Sequence, residues 1–234
     1  MTEPTYVLVP GAGGDAWYWH RVVDELRVRG RDVIAVDLPG DDESAGLPEY
    51  TDAVVHAVGD LTGLVLVGQS LGAFTASLAC ARLPASLLVL VNPMIPEPGE
   101  TAGEWWENTG QAAAMRDHDV REGRPADAPF DPETYFLHDL PEDVLAEASA
   151  HDRPESDAVF ATPWNLPAWP EVPTRVLIGR DDRLFPAEFQ RRVARERLGI
   201  TPQEIPGGHL AALSRPGLLT DRLETYWAEI DSAH

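Results

Sequence analysis

One serine in the sequence has neighbours that favour a role as a nucleophile. Ser70 lies at the centre of Gly68-Gln69-Ser70-Leu71-Gly72, after the apolar run Leu64–Val67 and before a helix-forming run that starts at Ala73. A strand that turns this sharply into a helix needs small residues two positions before and after the serine. The turn raises the hydroxyl above the sheet, near a helix N-terminus, where it is placed to attack a carbonyl carbon.

Two residue types limit the remaining chemistry. The sequence contains no Lys, which excludes the usual phosphate-binding loop and any Schiff-base mechanism, because both need that residue. The single cysteine, Cys80, excludes an internal disulfide and fits a reducing compartment. No clustered His/Cys spacing indicates a metal site, so we expect no metal and no organic cofactor.

Strand and helix patterns alternate along most of the chain. The strand candidates are Thr5–Val9, Asp32–Val36, Leu64–Gly68, Leu87–Val91, Thr174–Gly179 and Gln203–Ile205, and the helical stretches are Ala16–Arg29, Tyr50–Val58, Leu71–Leu83, Pro186–Arg197 and Pro216–Glu229. Several strand candidates are apolar without alternation, which is typical of strands covered by helices on both faces. We therefore predict an α/β fold with a doubly wound, mainly parallel sheet of about six strands.

Residues from about 93 to 173 interrupt this alternation. They have no strand pattern but many prolines and a concentration of aromatic residues, namely Trp105, Trp106, Phe130, Tyr135, Phe136, Trp164 and Trp169. A bare loop or a disordered linker is not expected to be so long or so aromatic. We predict one domain, residues 1–234, with a core of residues 1–92 and 174–234. The insertion forms a helical cap over the carboxyl ends of the strands, where ligands bind in such sheets.

The charge and hydropathy of the chain exclude several kinds of partner. Acidic residues number 39 against 18 basic ones, for a formal net charge of −21. Such a surface repels phosphate backbones and anionic lipids, so we expect no nucleic-acid or membrane partner. No apolar run approaches the ~18 residues that span a bilayer, and residues 1–4 lack the basic start and apolar stretch of a secretory signal. We expect a cytoplasmic protein, and the sequence leaves its oligomeric state open.

The sharp turn Gly68–Gly72 around Ser70, with its flanking strand and helix, resembles the nucleophile elbow of the α/β-hydrolase superfamily, and we call it the elbow. This family usually carries His-Gly-x after its first strand, where residue x gives a backbone N–H to the oxyanion hole. Here the corresponding segments are Pro10–Gly14 and the Trp-rich Asp15–Trp19, most similar to the branch of small serine esterases. Pro10 replaces the usual His, which leaves the backbone donor intact. The resemblance implies an oxyanion hole formed by the amides of Ala12 and Leu71.

The same resemblance implies positions for an acid and a base. The segment from Val176 to Pro186 is similar to the family's strand, Gly-x-x-Asp and turn, which makes Asp182 the acid and leaves Asp181 as the alternative. Some members place the acid one strand earlier, but Asn92 at that position is not ionisable. The base is His209 in the Gly-x-His loop, in preference to His20, His56, His118, His138, His151 and His234.

We therefore expect a cofactor-free serine hydrolase that cleaves a small carboxylic ester, lactone or thioester through an acyl-enzyme. A thioesterase or acyltransferase would use the same residues, and a non-catalytic ligand-binding protein is the alternative from another class. Hydroxynitrile lyases of this branch need Lys, and halide removal or epoxide opening uses Asp at the elbow. Trp17 and Met94 are candidates for contact with the small-molecule acyl substrate, with packing between cap and core as the alternative for each.

Overall fold

The computed structural model describes residues 3–151 and 153–232, and in this part of the chain six parallel strands form one sheet. The strands are β1 (Thr5–Val9), β2 (Asp32–Ala35), β3 (Leu64–Gln69), β4 (Ala85–Val91), β5 (Thr174–Gly179) and β6 (Gln203–Ile205). Their order across the sheet is β2-β1-β3-β4-β5-β6. The carboxyl ends of all six strands therefore lie at one edge. The predicted α/β fold with a parallel sheet is confirmed.

Both faces of this sheet are apolar. In β3, Leu64 and Leu66 face one core cluster, Val65 and Val67 face the other, and all four side chains are fully buried. The register continues across the neighbouring strand, where Val7 pairs with Leu66 and joins the same cluster. Burial on both faces is the reason that these strands carry apolar residues without alternation.

Helices supply the two covering layers. In chain order the α-helices are α1 (His20–Val28), α2 (Leu47–Val58), α3 (Gly72–Cys80), α4 (Ala102–Thr109), α5 (Gln111–Arg121), α6 (Glu142–Ala148), α7 (Asp157–Ala161), α8 (Ala187–Leu198), α9 (Ala211–Ser214) and α10 (Pro216–Asp231). Helices α1 and α10 pack together on one face of the sheet, whereas α2, α3 and α8 bury their apolar residues on the other. No described helix combines the length and the apolar character that a membrane span requires.

One predicted helix begins differently from the sequence expectation. The stretch Ala16–Arg29 divides into a 3-10 turn, Ala16–Trp19, and α1. Asp15 starts this turn, because its carboxylate accepts the N–H of Trp17 at 2.8 Å and so satisfies a backbone donor without a helical partner. The chain then passes directly from the loop after β1 into α1.

The region between β4 and β5 forms the helical cap. Its described residues contain α4 to α7, a π-helical turn at Glu133–Leu137 and a 3-10 turn at Ser149–His151, with one isolated antiparallel bridge between Thr101 and Pro163. The cap reaches the carboxyl edge of the sheet, where the ring of Phe136 lies 5.4 Å from that of His209. The boundaries of the insertion and the extent of the domain stay predictions.

Buried tryptophans fasten the cap to the core. Trp105 is fully buried with its ring 5.2 Å from that of Phe185 in the core, and its indole N–H donates to the carbonyl oxygen of Ile95, at the start of the insertion, at 3.0 Å. Trp164 is also fully buried and donates to the hydroxyl of Ser77 on α3 at 2.9 Å. Each indole thus combines a large apolar contact with a satisfied N–H. These aromatic residues of the insertion are packing residues.

One ion pair between the start of the cap and α8 is buried. Arg197 donates to a carboxylate oxygen of Glu100 at 2.9 Å, and the two side chains are only 7% and 4% exposed. Arg197 also donates to the carbonyl oxygen of Ile95, and Asn108 donates to Glu100 at 2.8 Å. Removal of one partner leaves the other charge buried without compensation, which is strongly destabilising.

We expect Glu100→Ala to lower the free energy of unfolding by about 3–5 kcal/mol. The matched control is Glu188→Ala, which removes an ion pair with Arg121 at the surface. The Arg121 side chain is 53% exposed and the Glu188 side chain is 69% exposed. That change is expected to cost at most about 1 kcal/mol. Urea denaturation followed by tryptophan fluorescence measures both values, and equal losses in the two variants would contradict this account.

Candidate active site

Ser70 occupies the turn between β3 and α3 with a φ of 51°. A positive φ is uncommon outside glycine and stores strain on the order of 1–3 kcal/mol, so the surroundings must hold the turn in place. Two backbone hydrogen bonds do so. The N–H of Ser70 donates to the carbonyl of Val91 at the end of β4, and the N–H of Met94 donates to the carbonyl of Ser70, both at 3.1 Å.

Close backbone contacts explain the two glycines of the elbow. A Cβ added at Gly68 would lie 2.7 Å from the carbonyl oxygen of Gly72, and one added at Gly72 would lie 2.8 Å from that of Val9. Both separations are shorter than real Cβ contacts. The Gly-x-Ser-x-Gly spacing therefore lets α3 pack directly over β3 and against the end of β1.

The structure brings together the three side chains that the sequence selected. His209 Nε2 lies 3.1 Å from Ser70 Oγ, and His209 Nδ1 lies 2.8 Å from Asp182 Oδ2. All three residues are buried. The Asp182 carboxylate is held by the N–H of Phe185 at 2.8 Å and by the amide of Gln190 at 3.3 Å. The imidazole is therefore fixed at both ring nitrogens.

Asp181 has a different position. Its carboxylate accepts the N–H of Gly207 at 2.9 Å, and its own N–H donates to the carbonyl of Gly207 at 3.0 Å. Of the two neighbouring aspartates, Asp182 meets the imidazole and Asp181 secures the loop that carries His209.

Aromatic rings surround the imidazole of His209. Phe185 from the core contacts it edge-on, with ring centroids 4.8 Å apart, and Phe136 from the cap contacts it at 5.4 Å. The His209 side chain is 1% exposed. Because water is excluded there, the hydrogen bond to Asp182 acts in a medium of low dielectric constant.

Asn92 is a buried hub that its residue type did not reveal. It is fully buried with a φ of 44°. Its amide nitrogen donates to the carbonyls of Gly208 at 3.1 Å and His209 at 2.9 Å, and its amide oxygen accepts the N–H of Gly179 at 2.6 Å. Gln69 adds a hydrogen bond to the His209 carbonyl at 3.3 Å. The available sequence signal was a polar residue directly after a buried strand.

The loop after β1 forms a tight turn beside the elbow. The N–H of Gly14 donates to the carbonyl of Gly11 at 3.2 Å, and Gly13 has a φ of 67°, as the third residue of a type II turn does. A Cβ added at Gly11 would lie 2.9 Å from the Cβ of Ser70. The turn thus presents Ala12 next to the serine.

Two amides near the serine are available to a ligand. Among the described residues, neither the N–H of Ala12 nor that of Leu71 has a hydrogen-bond acceptor. Leu71 directly follows Ser70 at the start of α3, and Ala12 lies in the adjoining turn. An oxyanion requires free backbone donors close to the attacking atom, and these two amides are candidates for that role.

A cavity of about 930 Å³ opens between this turn and the cap. Its walls are mainly apolar and include Trp17, Tyr18, Phe136, Leu137, Leu140 and Leu213. The acidic and histidine residues among the described lining are Asp15, Glu133, His138 and His151, and that lining contains no Arg. The cavity therefore offers an apolar surface with no fixed positive charge.

The two residues selected for substrate contact have different positions. Trp17 lines the cavity, where its ring is stacked between those of His20 at 4.9 Å and His151 at 4.3 Å. Met94 is 1% exposed, belongs to the core and does not line the cavity. This position favours the packing alternative for Met94, and its contact with a substrate stays a prediction. His234 lies outside the described residues.

No group of three or more His, Cys, Asp or Glu side chains in residues 3–151 and 153–232 is arranged to hold a metal ion. The polar groups near Ser70 instead hydrogen-bond to one another and to the backbone. The arrangement offers a nucleophile, a base, a carboxylate that orients the base, and two free amides.

Several known proteins are similar to this chain in sequence and in fold. The model of the alpha/beta hydrolase family matches residues 6–222. The chain is 27% identical to the probable esterase PIR7A of Oryza sativa subsp. indica, over 97% of each chain. It is also 27% identical to salicylic acid-binding protein 2 of Nicotiana tabacum, over 90% of this chain and 92% of that protein.

The crystal structure of polyneuridine aldehyde esterase is similar in fold. Its TM-score is 0.78 at 22% sequence identity, over 96% of this chain and 99% of that one. The family match extends from β1 into α10 and includes the elbow and the loops that carry Asp182 and His209. On the strength of that match, the chain belongs to the alpha/beta hydrolase family.

Proposed function

We propose that this protein is a serine hydrolase that cleaves a small, uncharged carboxylic ester. One observation carries the proposal. Asp182, His209 and Ser70 form a continuous line of hydrogen bonds of 2.8 and 3.1 Å, and Gln69 and Leu210, the chain neighbours of Ser70 and His209, line an apolar cavity. The esterase names of the rice relative and of the structural neighbour support the same reaction class.

The proposed reaction follows from this geometry. Ser70 Oγ attacks the carbonyl carbon while its proton passes to His209 Nε2, and Asp182 stabilises the imidazolium that forms. The oxyanion accepts hydrogen bonds from the amides of Ala12 and Leu71. Collapse of the tetrahedral intermediate expels the alcohol, which takes the proton from His209. Water, deprotonated by the same imidazole, then attacks the acyl-enzyme and releases the acid.

The lining of the cavity favours a substrate without negative charge. Its described residues include Asp15 and Glu133 but no Arg, and the whole chain has a formal net charge of −21. An anionic acyl group meets repulsion there without a compensating cation. Coenzyme A thioesters carry phosphate anions and are disfavoured for the same reason. An ester with an apolar acyl group fits best.

We expect Ser70→Ala to lower kcat for p-nitrophenyl butyrate by at least about 10³-fold, because the nucleophile is removed. Ser44→Ala, a change at an exposed serine, is the matched control and should keep wild-type activity. A fluorophosphonate probe should label the wild type and the control but not Ser70→Ala. Folded wild-type protein that neither turns over esters nor reacts with the probe would favour the ligand-binding alternative.

We expect Asp182→Asn to lower kcat by about 10³–10⁴-fold, because an amide favours the wrong imidazole tautomer. In Asp181→Asn the side-chain oxygen still accepts the N–H of Gly207, so the loss should stay below about tenfold. Steady-state kinetics on the two purified variants makes the comparison. Full activity in Asp182→Asn would overturn the assignment of the acid.

We expect kcat/KM for p-nitrophenyl hemisuccinate to be at least about tenfold below that for the neutral butyrate at low ionic strength, because the terminal carboxylate enters an anionic site. The gap should narrow at high salt and in Glu133→Gln. Rates are normalised to the spontaneous hydrolysis of each ester. Equal or faster cleavage of the anionic ester would contradict the proposed charge preference.

A further inference from the structure

The cap contributes one carboxylate to the loop that carries His209. Asp139 follows the π-helical turn at Glu133–Leu137, and its Oδ2 accepts the N–H of Gly208 at 2.8 Å. The Asp139 side chain is 11% exposed, and Arg215 lies 3.9 Å away, beyond hydrogen-bond distance. Because the acceptor is ionised, its bond to the Gly208 amide is stronger than one between neutral groups.

The shape of the His209 loop allows this approach. A Cβ added at Gly208 would lie 2.8 Å from the ring of His138 and 2.9 Å from the second carboxylate oxygen of Asp139. The glycine therefore lets the cap rest directly on the loop. Its carbonyl is held by Asn92 from the core, whereas its N–H is held by Asp139 from the cap. The two peptides that meet at Gly208 are thus both held, the one before it by the cap and the one that joins it to His209 by the core.

A second cap carboxylate holds the turn after β1. Glu155 Oε2 accepts the N–H of Gly13 at 2.8 Å, and Oε1 accepts hydrogen bonds from the hydroxyl of Tyr50 and from the N–H of Ser156. Tyr50 on α2 is buried. Burial and the hydrogen bond to Glu155 raise the pKa of Tyr50, so its hydroxyl stays protonated and continues to donate.

The Gly13 amide is the part of the turn where such a contact matters. Its N–H belongs to the peptide that joins Ala12 to Gly13. A bond to this peptide limits its rotation and thereby the direction of the Ala12 N–H, one of the two proposed oxyanion donors. Misplacement of a catalytic group by about 1 Å lowers rates by up to about 10²-fold.

We propose that Asp139 and Glu155 are positioning residues of the cap. Through them the cap fixes the backbone of the loop that carries His209 and of the turn after β1. Asp139 orients the backbone before His209, and Glu155 orients the backbone after Ala12. The inference rests on the proposed function, because it assigns both carboxylates to the same reaction. The cap then couples enclosure of the substrate to alignment of the base and of the oxyanion hole.

The first test concerns Asp139. We expect Asp139→Ala to lower kcat about tenfold, with KM within about twofold of the wild type, because the base is displaced while the cavity is kept. Asp139→Asn should recover most of the loss, since its amide oxygen accepts the same N–H. Asp127→Ala, a change at an exposed aspartate of the cap, is the matched control. Wild-type kcat in Asp139→Ala overturns the role of this residue.

The second test concerns Glu155. Glu155→Ala should lower kcat about tenfold and weaken inhibition by an aryl trifluoromethyl ketone about as much, because that inhibitor forms an oxyanion adduct at Ser70. Binding of the matching methyl ketone, which stays trigonal, should be unchanged. Glu155→Gln keeps an acceptor for Gly13 and should recover part of the activity. Equal weakening for both ketones indicates a collapsed cavity and overturns the positioning role.

A third measurement does not depend on turnover. Hydrogen exchange followed by mass spectrometry should show faster exchange of residues 206–210 in Asp139→Ala and of residues 11–15 in Glu155→Ala, with the rest of the chain unchanged. Unchanged exchange in both segments overturns the proposal even if the wild type is active. If the wild type is inactive but exchange is faster in the expected segment of each variant, only the proposed function is overturned. The faster exchange then shows that both carboxylates hold the backbone.

Discussion

The backbone strain at Ser70 is the constraint on which the site depends. Its φ of 51° persists because neighbouring backbone holds the turn on several sides. Val91 accepts its N–H, Met94 donates to its carbonyl, and the glycines at positions 68 and 72 leave room for adjoining carbonyls. These groups lie in β3, at the start of α3 and at or just after the end of β4. The direction of the Ser70 hydroxyl therefore depends on the packing of the sheet edge, and so does its proposed role as a nucleophile.

The parallel sheet explains how residues far apart in sequence meet there. Ser70 and His209 are separated by 139 positions, and Asp182 and His209 by 27, yet each pair forms a direct hydrogen bond. Strands β1, β3, β4, β5 and β6 are consecutive in the sheet, so the loops at their carboxyl ends lie side by side. Asn92, at the end of the middle strand β4, reaches the loops on the β5 and β6 side. One buried amide thereby links the loop that carries His209 to the end of β5, shortly before Asp182.

The residues that sequence patterns predicted are those under local constraint. Burial on both faces marks β3, and steric crowding marks the glycines around Ser70, so both leave a signal within a few positions. Asn92, Asp139 and Glu155 instead bind backbone groups that are distant in sequence. The separation is 87 positions from Asn92 to Gly179, 69 from Asp139 to Gly208 and 142 from Glu155 to Gly13. Because every residue except proline carries the same backbone N–H and C=O groups, the sequence at the two positions does not indicate that they form a hydrogen bond. For Met94 the sequence left substrate contact and packing both open, because an apolar residue beside such a turn fits a cavity wall and a core equally well.

Three of the backbone contacts beside the site have the same kind of acceptor, a carboxylate. In this chain, which has no Lys, carboxylates serve as acceptors for the backbone N–H groups of Gly13, Gly207 and Gly208. An acceptor that is ionised binds such donors more strongly than a neutral one. The same negative charge acts on the proposed reaction, in which a neutral ester enters and an anionic acid leaves. The described lining of the cavity includes Asp15 and Glu133 but no Arg, so the anionic product of that proposed reaction would meet repulsion there and no compensating cation.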